Sequence, residues 1–62
     1  MNDVDNVSLT DEQIAEFEYR LGVHYCILNN AKQAMYWLKR AAFKNHVKAI
    51  EMIHEMIERR LI

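Results

Sequence analysis

Residues 21–49 read LGVHYCILNNAKQAMYWLKRAAFKNHVKA, and the spacing within this stretch decides the fold. Small residues recur where two helices would touch: Gly22 first, then Ala34 and Ala41, which sit seven residues apart and so share one helical face. A glycine inside a helix costs about 1 kcal/mol relative to alanine, so its presence calls for a neighbouring helix that approaches closely there. Leu21, Tyr25 and Leu38 supply the larger side chains that fill the space between the two helices. Asn29-Asn30 divides them, because asparagine tolerates the left-handed backbone that a tight turn needs.

Outward from this stretch, the pattern predicts two more boundaries. Thr10 followed by Gln13 is a capping box, Leu9 can staple against Ile14, and Asp11 and Glu12 suit the positive end of a helix. The first helix should run from there to about Leu28, and a second from about Ala31 to Lys44. Asn45-His46 interrupts the periodicity, and a third helix should cover about Val47 to Arg60. On the first helix, Ile14, Phe17, Leu21, Tyr25 and Leu28 form one apolar stripe, while Ala15, Tyr19, Val23, Cys26 and Ile27 form a second. Two stripes predict two packing neighbours. On the third helix Ala49, Ile50, Met52, Ile53, Met56, Ile57 and Leu61 span about half the circumference.

The same residues resemble a known repeat. Leu21-Gly22, Tyr25, Ala34, Leu38 and Ala41 match the tetratricopeptide pattern, and Ala34, Trp37, Ala41-Ala42 and Ala49 are similar to its Sel1-like branch. The resemblance covers roughly residues 15–49, one repeat. Glu18 stands where the pattern often has an aromatic residue and His46 where it often has proline, and Asn29-Asn30 shortens the Sel1-like loop. The resemblance implies an all-α, three-helix fold: an antiparallel helical hairpin plus a C-terminal capping helix. Residues 1–10 are then a flexible tail and N-cap, and residues 11–62 a single helical-repeat domain. Such repeats bind other proteins and rarely perform chemistry.

Composition narrows the function independently. With 62 residues, no proline, one glycine and 52% hydrophobic residues, the chain reads as one small folded domain. One cysteine, Cys26, cannot form an internal disulfide, so the usual staple of small folds is missing. Burial then has to come from a homodimer or a tight hetero-complex. Its candidate residues are Met52, Met56, Ile57 and Leu61, since methionine adapts to varied neighbours. The start, MNDVDNVSL, lacks an apolar run after a basic segment, and no stretch of about 18 apolar residues suggests a membrane span. A cytoplasmic setting is expected.

No catalytic residue, cofactor or metal is expected. Glu51-x-x-His54 has the spacing of a helical metal pair, but both residues fall on the polar side of the third helix. His24 and Cys26 are two residues apart and face different ways, and the lone glycine rules out a phosphate loop.

Charge is uneven. Residues 1–20 carry Asp3, Asp5, Asp11, Glu12, Glu16 and Glu18 against Arg20, while residues 21–48 carry Lys32, Lys39, Arg40, Lys44 and Lys48 with no acid. Either an acidic helix pairs with a basic one, or the basic helix meets an acidic target. The expected function is a non-catalytic protein-interaction module, acting as an adaptor, chaperone-like cofactor or inhibitor. Its candidate partner-binding residues are Tyr36, Lys39, Arg40 and Phe43, aromatics among cations on the outward side of the second helix. The alternative is a nucleic-acid-binding regulator using that same basic aromatic helix. The stripe Tyr19, Val23 and Ile27 is the next candidate surface.

Overall fold

The computed structural model describes residues 9–60 and contains three helices: α1 (Asp11–Ile27), α2 (Ala31–Phe43) and α3 (Val47–Glu58). No strand occurs among the described residues. The middle helix α2 packs against both α1 and α3. No helix among the described residues is long and apolar enough to cross a membrane. The expected tail lies mostly at residues 1–8, outside the described residues, as does Leu61.

Both interhelical turns use one device. Asn29 and Asn45 adopt left-handed backbone, with φ of 64° and 67°. Behind each, the next amide reaches back to the preceding helix: Asn30 N donates to the Tyr25 carbonyl at 2.8 Å, and His46 N to the Ala41 carbonyl at 3.1 Å. This is the Schellman closure, with asparagine in the position glycine usually takes. The residue that closes one helix then caps the next. Asn30 Oδ1 accepts from Gln33 N at 3.2 Å, and His46 Nδ1 accepts from Ala49 N at 3.2 Å. At the start of α1, Gln13 N donates to Thr10 Oγ1 at 3.1 Å and Thr10 N donates to Gln13 Oε1 at 2.9 Å, which completes the capping box.

The core is made largely of small residues. Ala15, Ala34, Ala41 and Ala49 are buried with Met35, Leu38 and Met56, and Tyr19, Tyr25, Cys26, Met52 and Ile53 pack around them. Gly22 marks the tightest point. A Cβ there would lie 2.6 Å from both Cγ and Cδ2 of Leu38, and 3.3 Å from the Ala34 carbonyl oxygen.

This close crossing corrects the apolar stripes expected on α1. The buried residues are Ala15, Glu18 and Gly22, whereas Phe17 and Leu28 are exposed. The small row lets α2 approach, so of the first stripe Phe17 and Leu28 turn outward, while Ile14, Leu21 and Tyr25 stay half-buried and Tyr25 packs on the core. The second stripe divides as well: Ala15 is buried, Tyr19 and Cys26 pack on the core, and Ile27 is exposed. On α3, Ala49 and Met56 face inward while Ile57 is 55% exposed.

The crossing makes a specific demand on position 22. Alanine there would gain about 1 kcal/mol of helix propensity, but overpacking a filled contact costs about 1–3 kcal/mol. Leu38 is fully buried, and its branch point as well as its methyl lies within the clash, so its whole side chain would have to shift. Gly22→Ala is therefore expected to lower stability by on the order of 1 kcal/mol in thermal unfolding, and Gly22→Val by more. A more stable Gly22→Ala protein would mean that the crossing is looser than described.

Candidate functional site

The close packing of α2 has a consequence for its other side. Ala34, Leu38 and Ala41 complete the inward contact, so the large residues of α2 are not needed there. Phe43 is 89% exposed and Tyr36 is 52% exposed. These two are seven residues apart, as are Lys32 and Lys39, so both pairs run along one side of the helix. Tyr36, Lys39, Arg40, Phe43 and Lys44 line an open groove of about 520 Å³. A second groove of about 650 Å³ continues from it, lined by Ala31, Lys32, Met35, Tyr36 and Lys39. The four candidate partner-binding residues therefore border one surface. Lys32 and Lys44, part of the basic stretch noted in the sequence, border it as well, as does Met35, which is itself buried.

One edge of this surface is tied to α1. Glu18 is only 3% exposed, and its carboxylate accepts from Arg40 Nε at 2.9 Å and Lys44 Nζ at 3.0 Å. Arg40 is held in place by this pair and lies over the rings of Tyr36 and Trp37, 5.7 Å and 5.8 Å from their centroids. The acidic helix and the basic helix thus pair within the fold at Glu18. Arg40 is correspondingly less available than the sequence implied, since one face of its guanidinium is committed. Lys32 and Lys39 make no ion pair among the described residues and carry the unpaired positive charge of the surface.

A second polar cluster joins α1 to the α2–α3 turn. Because His46 Nδ1 accepts the Ala49 amide, the proton of the neutral ring sits on Nε2, which faces Glu16 Oε1 at 2.8 Å. The His46 ring stacks on Tyr19 at 4.6 Å. The hydrogen bonds from His46 and Arg20 hold the Glu16 carboxyl below its ordinary range. His46 is therefore a structural joint rather than a simple break in periodicity.

The remaining candidates separate. Met56 is buried, with its Sδ 3.9 Å from Cys26 Sγ, so it belongs to the chain's own core and is not available as an outer self-association residue. Met52 packs partly on that core, Ile57 is exposed, and Leu61 lies outside the described residues. Burial pushes the Cys26 thiol up, towards its unreactive form. Glu51 and His54 are both exposed, and no group of residues suited to hold a metal occurs among the described residues. Both α2 grooves are open, bordered by Tyr36 and Phe43 and by the lysines and Arg40 of the same helix.

Glu18 gives this arrangement a pH signature. Burial acts to raise its carboxyl, but the hydrogen bonds from Arg40 and Lys44 outweigh it, so the group titrates below its ordinary value of 4.5. Its stabilisation is complete above that value and is lost as pH falls through the lower folded one. Glu18→Gln should be less stable by about 1–2 kcal/mol at pH 7, and the gap from wild type should shrink by pH 3 in denaturant titrations. An equal gap at both pH values would show that the contribution is not ionic.

In comparisons with known proteins, no family model, no curated protein and no solved structure matches the chain.

Proposed function

We propose that this chain is a non-catalytic protein-binding module, a small adaptor, chaperone-like cofactor or inhibitor, built as a tetratricopeptide- or Sel1-like hairpin with a capping helix. The observation that carries this reading is Phe43, 89% exposed beside Tyr36 on a helix whose inward packing is complete without either ring. Burying one such phenylalanine is worth about 1.5–3 kcal/mol, which favours covering it with a partner. Lysines at the rim add orientation and encounter rate more than affinity.

The nucleic-acid alternative is weaker on electrostatic grounds. Of the four cations on this side, Arg40 and Lys44 already share the charge of Glu18, which leaves Lys32 and Lys39 for phosphates. Two contacts give a shallow salt dependence and little affinity.

Affinity capture from cell lysate, with and without nuclease, compares the two readings. Tagged wild-type chain is expected to retain a protein partner after nuclease treatment. Tyr36→Ala with Phe43→Ala should weaken its binding by at least about 2 kcal/mol, or roughly 30-fold. Recovery of nucleic acid alone would favour the alternative. Undiminished capture by the double variant would move the interface to α1, where Ile27 is exposed beside the half-buried Val23 while Tyr19 is occupied by His46.

A further inference from the structure

The outer side of α2 asks for an occupant of definite chemistry. It must bring apolar groups to Tyr36 and Phe43, and carboxylates to Lys32 and Lys39, with both pairs repeating every seven residues. Two helical turns separate each pair, about 10 Å along the axis. A helix fits better than an extended segment, because α2 satisfies its own backbone and offers no edge for a strand to pair with.

A face of this kind is present on the chain itself. On α3, Glu51 and Glu58 are seven residues apart and exposed, and neither forms an ion pair among the described residues. Beside them Ile50 and Ile57 are also seven residues apart and are 36% and 55% exposed. The third acid of α3, Glu55, is engaged by Arg59 at 3.0 Å. The cations and aromatics of α2 therefore have counterparts, at matching intervals, in the acids and isoleucines of α3. Within one chain the two sets cannot meet, because α2 and α3 already pack through their inward residues.

We infer that the α2 outer surface of one copy docks the outer face of α3 from a second copy, with Lys32 and Lys39 opposite Glu51 and Glu58. This rests on the reading of the α2 surface as a protein-binding site and names one occupant of it. Since each copy carries both faces, two copies can close reciprocally or continue into a longer assembly. One helix laid on one helix is a small interface, so the association is weak and shows itself at high concentration. Self-association also covers Phe43, and so competes with any other protein at the same surface.

The purified 62-residue chain in sedimentation velocity, from about 5 to about 300 µM at low salt, tests this with two charge-reversal variants. One is Lys32→Glu with Lys39→Glu; the other is Glu51→Lys with Glu58→Lys. All four side chains are exposed, and circular dichroism checks that each variant keeps its helices. Wild type is expected to rise above monomer mass with concentration, and each variant alone to associate at least about tenfold more weakly. Mixing the two variants should restore association, because each then presents the opposite charge to the other. Wild type that stays monomeric at every concentration overturns the inference, as do variants that associate like wild type or a mixture that fails to recover. Capture of another protein through Tyr36 and Phe43 by a strictly monomeric chain would sink this inference alone, whereas loss of both would sink the binding-module reading too.

Discussion

The contact between Gly22 and Leu38 sets the distance between α1 and α2, and the rest of the molecule follows from that distance. With no side chain at position 22, Leu38 comes within 2.6 Å of where a Cβ would be. At this separation small residues line much of the contact, and Ala15, Ala34 and Ala41 are buried there beside Leu38 and Met35. Several other large apolar residues are left outside. Phe17 and Leu28 turn outward on α1, and Tyr36 and Phe43 do so on α2. The exposed aromatic surface proposed as the binding face is thus the counterpart of a core made of small residues.

Close approach also explains how a carboxylate comes to be buried in so small a fold. Glu18 lies one turn before Gly22, where the helices are still near enough to cover it and α2 presents Arg40 and Lys44 within hydrogen-bond reach. A buried charge without partners would be strongly destabilising, and with two it is satisfied; no buried side-chain polar atom among the described residues lacks a partner. The pair fixes the orientation of Arg40, which in turn lies over Tyr36 and Trp37. One edge of the α2 surface is therefore rigid, while Lys32 and Lys39 at its other edge remain unpaired.

Much of this was legible in the sequence because it depends on local chemistry. Thr10 and Gln13 announce a capping box, Asn29 announces a left-handed turn, and Gly22 announces a close approach; each works through a few neighbouring atoms. The side of α1 that faces α2 was not legible in the same way. Hydrophobicity alone selects the row containing Phe17 and Leu28, whereas the fold selects the row that can come closest. The role of Glu18 depends on residues 22 and 26 positions away, so it looked like a departure from a pattern. His46 looked like an interruption because its three contacts, to Ala49, Glu16 and Tyr19, are unlike one another and mostly distant in sequence. Met56 resembled the exposed residues of its arc, and its burial beside Cys26 depends on how α1 and α3 meet.

The central claim is that Tyr36 and Phe43 are surplus to the chain's own folding. Denaturant unfolding of Tyr36→Ala with Phe43→Ala, beside wild type at low protein concentration, tests it most directly. The account predicts a loss of less than about 1 kcal/mol, because the aromatic pair with Trp37 is modest and alanine is the better helix former. A loss of about 3 kcal/mol or more, the size expected for emptying a core position, would contradict it and return both rings to the chain's own packing.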